Sequence, residues 1–192
     1  MASAVIASAM LGGAVHAADV RLLAGVGFTA GGDTLVDVTY SNGNHATVKG
    51  GGQIAFHGGV ELKFNDVLST QLLAGYHFDR ASASNGSATF SRVPVELLGH
   101  VRVSDWVRLG GGGRYSTNAR LEASGFIANS VPDTRLTTNG GTVAELEILP
   151  YRGIAIKLRY VSERFKFSNN YFPTSRTIDG SHGGVYVNYY FL

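Results

Sequence analysis

The chain has 192 residues, enough for one ordinary domain. Charged residues make up 16% of it, against ~25% in a typical soluble domain. The net charge is +2 and the arginines are scattered singly, so there is no footprint for nucleic acid. Cysteine is absent, which excludes disulfides, thiolate metal sites and a cysteine nucleophile.

The first 17 residues carry no charge and are mostly Ala, Ile, Val, Leu, Met and Gly. They end in Val15-His16-Ala17, and small residues at the minus-three and minus-one positions suit signal peptidase. We therefore predict a signal peptide at residues 1–17 and a mature domain at residues 18–192. The alternative is an uncleaved transmembrane helix, but the apolar stretch is shorter than the ~20 residues that a span needs.

Beyond residue 18 the dominant hydrophobic period is two, which is typical of strands. In the first segment, the even positions from Val20 to Phe28 are apolar, and they alternate with odd positions that begin with the charged Arg21. Each segment is close to the ~10 residues that a tilted membrane strand requires. The eight segments are residues 20–29, 53–64, 70–79, 92–103, 107–115, 142–148, 154–161 and 184–191.

Long and short connections alternate along the chain, as in outer-membrane barrels with short periplasmic turns and long outer loops. In the first long stretch, residues 35–40 and 46–48 alternate as well. We favour a hairpin above the membrane over a ninth spanning strand, because an odd count breaks the alternation of short and long connections. Tight turns are predicted at residues 65–66, 104–105 and 151–153, and longer polar stretches at residues 31–50, 80–88, 116–138 and 167–181.

Period two alone does not decide which face of the barrel is inside. A lipocalin buries its apolar face, whereas a membrane barrel exposes it. Here the polar face is poor in lysine, unlike a solvated surface, and aromatics near the strand ends predict two interfacial girdles. The predicted girdles are Phe64, Trp106, Tyr151, Tyr189 and Phe191 on the short-turn side, and Phe28, Phe78, Phe90, Tyr115, Tyr160 and Phe165 on the long-loop side.

The chain stops within its last strand, where Val185, Val187, Tyr189 and Phe191 occupy alternate positions before Leu192. This ending resembles the C-terminal assembly signal of outer-membrane barrels, although the additional Leu192 departs from a terminal aromatic. With the export signal and eight strands, the chain resembles the small outer-membrane β-barrel family, whose best-known members are the OmpA transmembrane domain and the OmpX-type proteins.

The resemblance implies an all-β fold, an eight-stranded antiparallel up-and-down transmembrane barrel. It also implies a location in the outer membrane of a Gram-negative bacterium. The expected partners are outer-membrane lipid, lipopolysaccharide and the barrel-assembly machinery, which would recognise the C-terminal strand. A host or surface ligand is expected at the loops, and the protein is expected to be a monomer.

The face predicted to point inward supplies a polar network for the lumen. Buried charges need partners, and the near-balance of signs favours a salt-bridged plug with a cationic excess. Glycines on the same face, among them Gly25 and Gly110, would leave room for long side chains. The predicted network is Arg21, Glu61, Lys63, Asp79, Arg92, Glu96, His100, Arg102, Arg108, Arg114, Glu145, Glu147, Lys157 and Arg159, with Glu163 near the rim.

We predict no catalytic, cofactor or metal site. The inward histidines lie on different strands without metal-ligand spacing, and they are interpreted as members of the polar plug; they are His57, His77 and His100. Ser181 and His182 fall near the outer rim, where lipid A deacylases and acyltransferases use a serine and a histidine. Glu163 or Asp179 would be the acidic partner, but the motifs of those enzymes are missing.

The sequence therefore predicts a non-enzymatic outer-membrane barrel with a salt-bridged lumen, serving envelope integrity or surface interaction. One alternative is a narrow pore for small solutes, against which the crowded lumen argues. The others are a lipid A-modifying enzyme at the rim and a soluble periplasmic barrel that binds a ligand.

Overall fold

The computed structural model describes residues 19–39, 45–83, 86–129, 131–167 and 177–191. The signal peptide predicted at residues 1–17 lies outside these ranges, so its cleavage stays a prediction. No helix within these ranges is long and apolar enough to cross a bilayer. The strands are β1 (Asp19–Gly31), β2 (Thr34–Thr39), β3 (His45–Lys49), β4 (Gln53–Lys63), β5 (Leu68–Ala83), β6 (Gly86–Ser104), β7 (Val107–Gly125), β8 (Thr134–Tyr151), β9 (Ile154–Phe167), β10 (Thr177–Asp179) and β11 (His182–Phe191), with a 3-10 helix at Phe126–Asn129.

Eight of these strands close into an antiparallel ring in the order β1, β4, β5, β6, β7, β8, β9 and β11, and β11 pairs back with β1. Closure satisfies the backbone groups that lipid cannot hydrogen-bond. Short β10 pairs with the upper end of β9, and β2 with β3 forms a separate hairpin. The predicted eight-stranded barrel is confirmed, and the first long connection holds a hairpin instead of a ninth barrel strand.

The two ends of the barrel differ in their connections. At one end the chain turns within residues 64–67, 105–106 and 152–153. Asp19 at the start of β1 and Phe191 at the end of β11 lie at this same end. The resemblance to outer-membrane barrels implies that the short turns are periplasmic, and we call this end the periplasmic end.

Outward-facing side chains form an apolar belt between two aromatic girdles. The periplasmic girdle is exposed as predicted, and Phe28, Tyr115 and Tyr160 are exposed at its outer counterpart. The prediction was wrong for Phe90 and Phe165, which are fully buried. They share the strand face of Arg92 and Glu163, so they point inward.

Five strands run well past the predicted segments: β5 has 16 residues, β6 and β7 have 19 each, β8 has 18 and β9 has 14. The stretches at residues 80–88 and 116–138 were predicted to be loops, and this is wrong because both are largely strand. Above the belt the polarity of the wall reverses. In β9, Lys157 points inward within the belt, whereas higher up Phe165 points inward and Arg164 outward.

The reversed part of the wall encloses an apolar cluster, which we call the outer core. Burying one large apolar side chain contributes about 1.5–3 kcal/mol to the free energy of unfolding. The wall above the membrane is therefore stabilised by an apolar core, as a water-soluble β-protein is. The β2–β3 hairpin contributes two valines to this core, Val36 and Val48. The outer core consists of Val36, Val48, Ala81, Ala88, Phe90, Ala119, Leu121, Leu136, Phe165, Phe167 and Ile178.

Two bulges occur near the level at which the polarity reverses. In β7, Ser116 and Ala119 both point inward, with Asn118 between them at a φ of 50°. In β8, the pairing with β9 shifts between Thr138 and Gly141, and Gly140 has a φ of 94°. A bulge inserts one extra residue, so each of these strands changes its inward set from one alternate series to the other.

Candidate functional site

The lumen within the belt is filled by a chain of ion pairs in which the sign of the charge alternates at every step. It runs from the periplasmic end to the outer end of the barrel and joins five cations to five carboxylates among the described residues. In order, the chain is Arg21, Glu61, Arg108, Glu147, Lys157, Glu145, Arg159, Glu96, Arg114 and Glu163.

Several of these pairs cross the lumen, because their strands are not neighbours in the ring. Arg108 on β7 reaches Glu61 on β4 at 2.5 Å, and Arg159 on β9 reaches Glu96 on β6 at 2.5 Å. Gly110 keeps space for this packing, since a Cβ there would lie 2.6 Å from the His100 ring and 2.8 Å from Cγ of Glu145. The ion pairs therefore tie opposite walls of the barrel together.

Neutral polar side chains complete the coordination of the carboxylates. Glu61 accepts hydrogen bonds from the Ser69 hydroxyl at 3.1 Å and from the Gln71 amide at 3.2 Å. The Tyr190 hydroxyl donates to Glu147 and accepts from Arg108 at 2.7 Å. Buried ion pairs are stable only when further hydrogen bonds satisfy their remaining polar atoms, and these groups supply them.

The structure brings together most of the predicted network. His100 joins it through Glu145 at 2.6 Å, and Glu163, predicted only near the rim, is a full member. Sequence reasoning missed Gln71 and Tyr190 as network members. The period-two pattern of the sequence could have identified both residues, since their side chains lie on the inward face of their strands. The predicted members outside the chain of ion pairs are Lys63, Asp79, Arg92 and Arg102.

Arg92 and Asp79 serve the junction with the outer core instead. Arg92 donates to the carbonyl of Gly50 at 2.6 Å and to Nδ1 of His77 at 2.8 Å. Its guanidinium also lies 5.2 Å from the ring centre of Phe90. Asp79 accepts the backbone N–H of Lys49 at 2.8 Å, so both side chains hold the base of the β2–β3 hairpin.

The histidines hydrogen-bond to neutral groups, to the plug or to Arg92, and the rings of His77 and His182 meet edge to face with their centroids 4.9 Å apart. His57 contacts the Asn188 side-chain oxygen at 3.1 Å, and His77 contacts the Thr29 hydroxyl at 2.9 Å. The described part of the chain contains no group of three His, Asp or Glu side chains that could hold a metal ion.

Ser181 and His182 are not arranged as a nucleophile and its base. Hydrogen bonds from the Ser181 hydroxyl and from its backbone N–H hold the pKa of Asp179 below its usual value. Nδ1 of His182 lies 2.7 Å from the carbonyl oxygen of Gly180, and Nε2 is buried without a hydrogen-bond partner among the described atoms. One imidazole nitrogen of His182 is therefore taken by a backbone carbonyl, and neither nitrogen is hydrogen-bonded to the Ser181 hydroxyl.

The C-terminal strand presents one apolar face to the lipid. Val185, Val187, Tyr189 and Phe191 are all exposed on the outside of the barrel. β11 joins β9 to β1 and so closes the ring. A role in assembly stays a prediction.

Above the outer girdle, the outward face of β8 and β9 carries a cationic cluster, which we call the outer cationic wall. Arg164 and Lys166 lie two residues apart on β9, and Thr137 on β8 lies opposite Lys166. They border a groove of about 500 Å³. Arg135 stands two residues from Thr137 on the same exposed face of β8.

Residues 3–191 match the family described as the outer membrane protein beta-barrel domain. The chain belongs to this family. Ail, the attachment invasion locus protein of Yersinia pestis, has a similar structure, with a TM-score of 0.52 at 13% identity over 90% of this chain and 97% of Ail. At this identity the similarity shows the fold alone. Family and fold together locate the protein in the outer membrane.

Two further structures are less similar. Ail in complex with the heparin analogue sucrose octasulfate has a TM-score of 0.46 at 12% identity, over 91% of this chain and 99% of Ail. The outer membrane protein AlkL in lipid bilayers has a TM-score of 0.43 at 11% identity, over 89% of this chain and 90% of AlkL. No curated protein sequence matches the chain.

Proposed function

We propose that the protein is a non-enzymatic, non-conducting outer-membrane barrel that acts through its outer surface. The observation that carries this proposal is the chain of ten alternating charges in the lumen. Cross-lumen pairs such as Arg159 with Glu96 occupy the path that a solute would take. A barrel of eight strands leaves an interior that side chains just fill.

Planar-bilayer recording tests the closed lumen. Purified protein inserted into a bilayer should give no steady conductance steps above the protein-free baseline. Reproducible steps of one size would overturn this part of the proposal and favour the narrow-pore alternative.

The absence of catalysis is tested with the residues that were nominated for it. Purified protein should neither release nor transfer acyl chains from lipid A. The proposal fails if it does so at a rate that drops in the Ser181→Ala or His182→Ala variant. The Ser87→Ala variant is the matched control, since Ser87 is a hydroxyl partner of Ser124 elsewhere in the outer wall.

The proposed partner of the outer surface is lipopolysaccharide, whose phosphates lie just above the hydrocarbon layer. Arg164 stands four residues above the girdle residue Tyr160 on the same outward face, which is about 13 Å along the strand. Guanidinium and ammonium groups at that height match phosphate in charge and in hydrogen bonding. The groove beside them offers room for part of the headgroup.

Calorimetric titration of the folded barrel with purified lipopolysaccharide tests this contact. The Arg164→Ser/Lys166→Ser variant should bind about tenfold more weakly or worse, because two charge-assisted contacts are lost. The Lys49→Ser/Arg80→Ser variant removes the same charge from exposed positions of β3 and β5, outside this groove, and should bind as the wild type does. Equal losses of affinity in both variants would mean that binding depends on net charge alone, and would contradict a defined contact.

A further inference from the structure

The periplasmic mouth of the barrel holds an open cavity of about 450 Å³. It lies at the end with the short turns, below the last ion pair of the lumen chain. Its floor is formed by Arg108 and Tyr190, and its rim by the turn around Gly153. The cavity opens to the periplasm and is distinct from the outer cationic wall at the other end.

The lining of this cavity is strongly cationic. Among the described residues it has one carboxylate, Asp105. The carboxylates beneath the floor, Glu61 and Glu147, are already engaged by arginines of the ion-pair chain. The cationic lining residues are Arg21, Lys63, Arg102, Arg108 and Arg152.

Arg102 lines the cavity and has a cationic neighbour but no anionic partner among the described residues. It lies directly opposite Arg108 in the pairing of β6 with β7. Like charges in that position repel and destabilise the strand pair. Arg108 is compensated by Glu61 and Glu147, whereas Arg102 has no carboxylate within 4.0 Å among the described residues.

Two guanidinium groups also present unused donors at this end. The Nε atoms of Arg102 and of Arg21 are buried and have no hydrogen-bond partner among the described atoms. Leaving a buried donor unpaired is costly, and the cost is larger for a charged group. An anion with several oxygen atoms would satisfy the donors and relieve the repulsion between Arg102 and Arg108.

We propose that the periplasmic mouth is a binding site for a phosphate group, with Arg102 as its central ligand and Arg21 and Lys63 beside it. Phosphate fits because the planar fork of arginine donates two parallel hydrogen bonds to it, and its charge matches the cationic excess. The phosphate group belongs either to a soluble phosphate compound of the periplasm or to a phospholipid headgroup in the inner leaflet of the outer membrane. The site does not depend on the proposed function of the outer surface.

Calorimetric titration in a neutral maltoside detergent tests the site, with inorganic pyrophosphate as the soluble probe and phosphatidylglycerol in mixed micelles as the lipid probe. The Arg102→Gln variant should weaken binding by about tenfold or more, because a charge-assisted bidentate contact is lost. The Arg80→Gln variant is the matched control, since Arg80 is an exposed arginine of β5 that lines neither the periplasmic cavity nor the groove beside the outer cationic wall, and it should bind as the wild type does.

Each outcome has a fixed meaning. Pyrophosphate binding that depends on Arg102 identifies a soluble phosphate compound as the source. Binding of phosphatidylglycerol alone, with the same dependence, identifies a lipid headgroup. Binding of neither probe, or an equal loss in the Arg80→Gln variant, overturns the proposal.

A stability measurement separates ligand binding from a structural role. Without any probe, the Arg102→Gln variant should unfold at or above the temperature of the wild type, because the repulsion from Arg108 is gone. A clearly lower unfolding temperature would mean that Arg102 is satisfied within the fold, and would overturn the proposal as well.

Discussion

The charged lumen makes a quantitative prediction about Glu145, which contacts more Lys, Arg and His side chains than the other carboxylates of the ion-pair chain do. It contacts Nζ of Lys157 at 2.7 Å, Nε2 of His100 at 2.6 Å and Nε of Arg159 at 2.9 Å. The Glu145→Gln variant keeps the shape of the side chain and removes its charge. Removing one partner of a buried ion pair costs about 3–5 kcal/mol. We expect the lower end of that range, because Arg159 keeps Glu96.

The matched control is the Glu122→Gln variant, which breaks an ion pair outside the membrane. Glu122 lies 3.3 Å from Arg120, and about half of each side chain is exposed. Such exposed pairs contribute about 0–1 kcal/mol. Urea unfolding in phospholipid vesicles, followed by the fluorescence of Trp106, the one tryptophan of the sequence, measures both variants. A difference of less than about 1 kcal/mol between them would refute the idea that the plug is a tightly coupled network.

Further predictions concern packing in the lumen and in the outer core. The Gly27→Ala variant should lose about 1–3 kcal/mol by overpacking, because its Cβ would overlap the Tyr186 ring. The Gly113→Ala variant is the control, since no atom lies within 4 Å of its Cβ; equal urea midpoints would contradict the packing. The Phe90→Ala variant should cost about 3–5 kcal/mol locally. It should speed trypsin cleavage in the outer wall while the boiling-dependent gel shift of the barrel persists. Loss of that shift would mean that the outer core and the barrel are one unit.

The eight strands and the inward residues could be predicted because period two assigns every residue of a strand to one of two faces. Once Arg159 is inside, Lys157 and Glu163 follow without further information. The ion-pair partners of these residues could not be predicted in this way. Arg159 meets Glu96 from a strand 63 residues away, and alternation along one strand carries no information about which strands face each other across the ring.

The wall above the membrane was missed for two physical reasons. The bulges at Asn118 and Gly140 shift the alternation, so residues 116–138 no longer follow one period in the sequence. The polarity also reverses, so outward residues there are polar and the stretch resembles a loop. Phe90 was assigned to a girdle from its position near a strand end. Its shared face with Arg92 would have placed it inside.

The central claim of this account is that the barrel wall continues past the bilayer with its polarity reversed. Since the sequence contains no cysteine, single-cysteine variants test it directly. Arg164 and Phe165 are neighbours in β9, the first exposed and the second fully buried. In folded protein, a water-soluble maleimide should label the Arg164→Cys variant rapidly and leave the Phe165→Cys variant unlabelled until urea is added. Equally fast labelling of both variants in the folded protein would contradict an outer wall whose inner face is buried.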